Sequence, residues 1–270
     1  MKQISRVATL FFACILILMI GLHAGASVEP APFQEGERLL YRAKWGAISA
    51  GEAVIETLPL ETIRGRQYYH FALTARTNPR LDTFYTIRER QDSFTNLSLT
   101  QSLLYSKRGT GSRLRHVVVN FDWKNLTATS VDSGEPQEPV RIIPGTLDPL
   151  ALIFSIRMKK LEVGQVLQVP VTDGKKCVSI RVAVTGRETL KIDDRTYDTF
   201  VVDPDMESLS GFLKKGRQIK LWYSADEQQL PVRMQSRFPL GSFVFELVEN
   251  ESQQKISLKH GYLGLHGFTN

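Results

Sequence analysis

Apolar and polar residues alternate with a period of two along most of the chain between Arg38 and about Glu249. The runs include "RLLYRAKWG", "GEAVIETL", "QYYHFALTAR", "LDTFYTIRERQDSF", "TQSLLYSKRG", "RLRHVVVNFDW", "CVSIRVAVTG", "RQIKLWYSA", "PVRMQSRF" and "SFVFELVEN". They are rich in Val, Ile, Tyr, Phe and Thr, and Gly, Pro, Asn or Asp bounds most of them. That is how strands joined by turns read. Turn signals stand at Asn78-Pro79, Lys124-Asn125, Asp173-Gly174, Asp193-Asp194 and Asp226-Glu227, where short polar side chains and glycine favour chain reversal. About a dozen strands with little helix between them predict a mainly β fold, an antiparallel barrel or a strongly curved sheet system.

One window breaks the alternation, "TLDPLALIFSIRMKKLEVGQ". Asp148 can cap a helix there and Pro149 suits its first position. Leu150, Ile153, Phe154 and Met158 form an apolar stripe, while Arg157, Lys159 and Lys160 bring cations to the C-terminal turns, where the helix dipole favours them. The expectation is one mid-chain helix that plugs a barrel mouth or covers a sheet face. No linker divides the strands, so residues 27–250 read as a single β-rich domain. The tail, 251–270, is less periodic and reads as partly disordered.

The stretch "KWGAISAGEAVIE", Lys44 to Glu56, poses a choice between a ligand cradle and architecture. A phosphate cradle leads into a helix N-terminus, whereas "EAVIETLP" alternates as a strand. The expectation is therefore two strands meeting at "GAISAG". Gly46 ends the first or forms a bulge. Gly51 and Ala53 leave room for a neighbouring aromatic or backbone.

The N-terminus changes the picture of location. Lys2 and Arg6 precede the apolar run Val7 to Leu22, and Ala24-Gly25-Ala26 follows with the small-x-small pattern of a cleavage site. This order describes a secretory signal peptide, residues 1–26, cleaved after Ala26. The run of about 16 apolar residues falls short of the roughly 20 that span a bilayer. Cys14 lies inside the run rather than closing it, which argues against lipidation. The expected location is periplasmic or otherwise exported, with no transmembrane segment after cleavage. Loss of Lys2 and Arg6 lowers the net charge from +6 to +4, and no run of basic residues exceeds two. That balance is no nucleic-acid signature. Cys177 alone remains, so no internal disulfide forms, and stability must come from a core. "YTIRERQDSF" places Arg88, Arg90 and Asp92 on one side and Ile87, Glu89 and Gln91 on the other. Polar residues on both faces argue against a lipid-facing wall.

A search for chemistry yields little. The histidines His70, His116, His260 and His266 fall in no metal-ligand motif, and HExxH, CxxC, GxSxG and P-loop patterns do not occur. "KRGTGSR", Lys107 to Arg113, reads as a glycine-rich hairpin tip with solvated cations. The acidic pairs Asp193-Asp194, Asp203/Asp205 and Asp226-Glu227 read as turn chemistry. No catalytic residue, metal or cofactor is assigned. The aromatic-bearing strands suggest instead an apolar ligand held by a curved sheet. Trp45, Gly51, Tyr69, Phe84 and Trp222 are the candidate ligand-binding residues.

Three stretches together carry a resemblance. "FQEGERLLYRAKWGAISAGEAVIE" has Glu37, Leu39, Tyr41 and Trp45 leading to Ala50-Gly51-Glu52-Ala53. "GTLDPLALIFSIRMKKLEVGQ" is the second. The third is "GRETLKIDDRTYDTFVVDPD", followed by "IKLWYSADEQQLPVRMQSRFPLGSFVFELV". The chain resembles, over about Phe33 to Glu249, the bacterial domain-of-unknown-function 3108 family of exported proteins. The last stretch is also similar, more loosely, to half-open barrels of the LolA/LolB type, which carry lipoproteins across the periplasm. The resemblance implies an exported, mostly antiparallel β protein and transfers no catalytic residue. The functional expectation is a non-enzymatic binding or envelope-assembly factor, with a lipid-like or apolar ligand or envelope proteins as partners. Two alternatives stand beside it: an envelope hydrolase with Asp/Glu acid–base residues, and a structural interaction module.

Overall fold

Strand alternation becomes ladder alternation in the computed structural model, which describes residues 31–83, 86–110, 114–205, 218–238 and 241–251. The expected signal peptide, the tail beyond 251 and Phe84 lie outside the described residues. The described residues from Pro32 onward form one compact unit.

The first meander runs β1 (Arg38–Trp45), β2 (Ile48–Ile63), β3 (Arg66–Thr77), β4 (Arg88–Asn96), β5 (Ser102–Thr110), β6 (Leu114–Asp122), β7 (Thr127–Asp132) and the short β8 (Glu135–Pro136), with β9 (Val140–Arg141) also on β7. A four-residue helix α1 (Pro79–Asp82) interrupts it after β3, capped by the Asn78 side chain. Helix α2 (Pro149–Arg157) follows. The second meander is β10 (Val166–Thr172), β11 (Cys177–Ile192), β12 (Arg195–Pro204), β13 (Gln218–Ser224), β14 (Pro231–Phe238) and β15 (Gly241–Asn250). β15 pairs antiparallel with β1, so both meanders form one sheet in the order β10 to β15, then β1 to β8. Every ladder between named strands is antiparallel.

The sheet curls until its two edges meet without closing a ladder. Leu147 makes an isolated parallel bridge to Val171 of β10, donating to the Pro170 carbonyl at 2.9 Å and accepting from Thr172 N at 2.9 Å. On the other side Thr146 accepts from Ser102 N of β5 at 3.2 Å. Ser130 of β7 donates to the Gly174 carbonyl at 2.9 Å. The segment Thr146–Leu147 and the β10–β11 turn therefore stitch a barrel-like seam. Gly174 is required there: its φ is +89°, and an added Cβ would stand 2.7 Å from Ser130 Cβ and 2.8 Å from a Val119 methyl.

The expected mid-chain helix is present, and it lies inside the curl. The Asp148 carboxylate accepts from Leu150 N and Ala151 N, both at 2.9 Å. Its other oxygen accepts from Ser93 and Ser102 hydroxyls, both at 2.6 Å, which ties the cap to β4 and β5. Leu152 and Ile156 pack against Val171, Ile180, Val182, Val202 and Tyr223 of the second meander. On the opposite flank Phe154 stacks on Phe71 of β3, with centroids 3.6 Å apart. Burial therefore encircles the helix, covering Ala151, Ser155 and Arg157 as well as Leu150 and Phe154. This corrects the single stripe: a helix enclosed by a sheet has neighbours on more than one side. Ile153 is half-buried, and Met158 is the C-cap.

Arg157 stands in the helix's last turn, as expected, and its charge is met by a carboxylate from the far end of the sequence. It is 1% exposed and forks onto Glu37, with Nη1 donating to Oε2 at 2.6 Å and Nη2 to Oε1 at 2.9 Å. It also donates to the carbonyls of Pro32 at 3.0 Å and Gln228 at 3.1 Å. Phe33 meets Phe71 and Phe154 edge-on. The chain before β1, the helix C-terminus and the β13–β14 turn thus lock one end of the barrel shut.

Candidate functional site

The helix occupies the shut end and leaves a half-open cavity of about 330 Å³ beside its first two turns. Pro149, Leu150, Leu152 and Ile153 form one wall. Ala53 of β2 and Leu73 and Ala75 of β3 are opposed by Ile219, Leu221 and Met234 of β13 and β14. Ile87 and Pro204 line it toward the other end of the strands, where β1, β2 and β15 turn. The volume falls at the low end of the roughly 300–1,000 Å³ usual for small-molecule pockets. Alternation explains the lining, because inward positions of strands from both meanders converge on it.

Gln235 and Ser236 on β14 give the wall one polar strip, and β4 gives another. Glu89 and Gln91 on β4 line the cavity. Gln91 Nε2 donates to Glu89 Oε1 at 2.6 Å, and Tyr105 on β5 donates to Gln91 Oε1 at 2.9 Å. Lys107, also on β5, pairs with Glu89 Oε2 at 2.8 Å, and the two side chains are 22% and 23% exposed. Burial pulls the Lys107 pKa down, with the Glu89 charge opposing it. Lys107 is thus no solvated cation at a hairpin tip, as its sequence context suggests. It sits within β5, held against a carboxylate of the cavity wall. Tyr105 is buried, which pushes its phenol well above the usual range.

The candidate ligand-binding residues fall elsewhere. Trp45 sits at the open end, stacked on Phe243 at 6.0 Å, and Gly241 passes beneath it where an added Cβ would come within 2.8 Å of Nε1. Tyr69 lies toward the shut end, edge-on to Phe33 at 5.2 Å. Trp222 alternates with Leu221 and Tyr223, so it takes the other face of β13 from the cluster around the helix, where it is also buried. Its Nε1 donates to Glu188 at 2.9 Å, and the Arg233 guanidinium lies 5.7 Å from its ring centroid. Gly51 packs against β3, where an added Cβ would stand 2.0 Å from the Arg76 carbonyl oxygen. None of these four lines the cavity. Phe84 lies outside the described residues.

The opening stretch resolves into a turn and a bulge. Gly46, at φ +57°, turns β1 into β2, and the register shifts between Ala43 and Lys44 so that Ala50 is the extra residue. Asp193-Asp194 and Asp226-Glu227 sit at turns, as expected, whereas Asp203 lies within β12, where it follows Val202 in the ladder to β11. Cys177, half-buried at the start of β11, approaches the Thr146 hydroxyl at 3.6 Å. Among the described residues no three His, Cys, Asp or Glu side chains gather as a metal site, and no helix is long and apolar enough to cross a membrane. The cavity wall has one carboxylate, Glu89.

A family model described as "Protein of unknown function (DUF3108)" matches residues 40–248. Among solved structures, the chain is similar to a β-barrel-like protein of the domain of unknown function DUF1849 from Brucella abortus. The TM-score is 0.55 at 13% identity, with 80% of this chain and 97% of that one covered. At that identity the likeness establishes a shared fold. No curated protein matches the chain.

Proposed function

The chain belongs to the DUF3108 family of proteins of unknown function, and we propose that it is an exported, non-enzymatic binding protein of the cell envelope that shelters an apolar or lipid-like chain. The observation that carries this reading is the cavity. Aliphatic side chains from both meanders and from the first two turns of α2 converge on it. Burying a methylene is worth about 0.8 kcal/mol, so a wall of this kind favours a hydrocarbon over water. Export is supported by the order of Lys2, Arg6, the apolar run and Ala24-Gly25-Ala26. The hydrolase alternative calls for two facing carboxylates. Glu89 has Lys107 and Gln91 beside it rather than a second acid.

The test is titration of the mature protein with a polarity-sensitive alkyl dye. Saturable emission enhancement in the wild type is the expected result. Ala75→Trp, which fills the cavity from β3, should abolish it while the circular dichroism spectrum is kept. Equal enhancement in the variant would overturn the reading.

A further inference from the structure

We propose that the cavity selects amphiphiles whose polar end is uncharged and donates a hydrogen bond, such as a glyceride or long-chain alcohol, over ionised fatty acids. This rests on the apolar-ligand reading and adds the chemistry of the other end of the molecule. Glu89 is the one ionisable side chain among the described lining residues. Its two oxygens accept from Gln91 at 2.6 Å and Lys107 at 2.8 Å. A carboxylate has about four acceptor positions, so lone pairs remain for a donor that enters from the cavity. A hydroxyl meets that requirement.

An ionised carboxylate does not. It would bring a second negative charge beside Glu89 in a poorly hydrated wall, where like charges repel strongly. The nearby cation, Lys107, is already matched by Glu89, and Gln91 is fixed by the Tyr105 hydroxyl with its amide turned toward Glu89. An alkylammonium would compete with Lys107 for the same carboxylate and leave an excess positive charge. The Glu89–Lys107 pair is charge-balanced and presents an acceptor to the apolar space, and the other polar lining residues, Gln91, Gln235 and Ser236, are uncharged.

The experiment is displacement of the bound alkyl dye at pH 8 by 1-monolaurin and by laurate, both below their micellar concentrations. The wild type should be displaced by monolaurin at a concentration about tenfold lower than by laurate. Glu89→Gln removes the repulsion, so the preference for monolaurin should be lost. The double variant Glu89→Gln/Lys107→Met removes both charges and should show no preference. It also covers the case in which loss of the carboxylate beside Lys107 prevents the single variant from folding. Equal displacement in the wild type, laurate preference in the wild type, or an order unchanged across the variants would overturn the selectivity while leaving the apolar-ligand reading intact. Failure of the dye itself to bind would remove that reading and this inference with it.

Discussion

At the scale of single residues, the fold depends on two buried carboxylates with different duties. Glu37 neutralises Arg157 in the shut end. Removing one partner of a buried pair leaves an uncompensated charge and costs about 3–5 kcal/mol. Glu37→Ala is expected to lower the unfolding free energy by that amount in urea denaturation; a loss below about 1 kcal/mol would show the pair to be solvated. Asp148 titrates. Burial raises its pKa above the ordinary 3.8, against hydrogen bonds from Ser102, Ser93, Ala151 and Leu150. A carboxyl whose pKa rises on folding binds its proton more tightly in the folded chain. Its contribution is therefore greatest in acid and falls as pH rises from the unfolded value through the folded one. Asp148→Asn keeps the cap acceptor without the titration. The stability of the wild type minus that of Asp148→Asn should decrease as pH rises from about 4, read from urea midpoints. A flat or rising difference would contradict the buried acid. These residues were unevenly legible. Asp148-Pro149 is a local signal, and it placed the cap. Glu37 and Arg157 stand 120 positions apart, and nothing near either one announces a partner.

At the scale of elements, alternation located the strands because each has one face in the curl and one outside. It also grouped Ile87, Glu89 and Gln91 on one side of β4, although which side faced inward depended on how the sheet closed. Aromatic content offered Trp222 for a ligand wall; on β13 it takes the face opposite Leu221 and Tyr223, buried beside Glu188 and Arg233. The helix start was readable and its surroundings were not, since a stripe along one face is the mark of a helix lying on a sheet, and α2 is enclosed. Phe154→Ala should cost about 3–5 kcal/mol by removing the ring that joins α2 to Phe71 and Phe33. Thermal or urea melts of the variant would measure it. Gly51 is a test of the close approach inferred from "GAISAG". With φ at +152° and a Cβ 2.0 Å from the Arg76 carbonyl oxygen, Gly51→Ala must separate β2 from β3. It should destabilise by at least about 1–3 kcal/mol and speed amide exchange in both strands. Unchanged exchange would contradict that packing.

At the scale of the whole molecule, two meanders joined through β15 and β1 curl around a helix, and the seam is held by Thr146, Leu147, Gly174 and Ser130 rather than by a ladder. This organisation leaves an apolar space that a fully filled barrel would lack. The mainly β architecture was readable from the sequence. The cavity was not, because its wall draws single residues from strands far apart in the chain, and small ones such as Ala53 and Ala75 matter as much as large ones. The most direct measurement is native mass spectrometry of residues 27–270 purified without detergent from the cells that make them. The account expects a retained mass of one acyl-bearing molecule, absent from Ala75→Trp and restored to delipidated wild type by 1-monolaurin. A wild-type protein that carries no added mass and takes up none on exposure to monolaurin would contradict it.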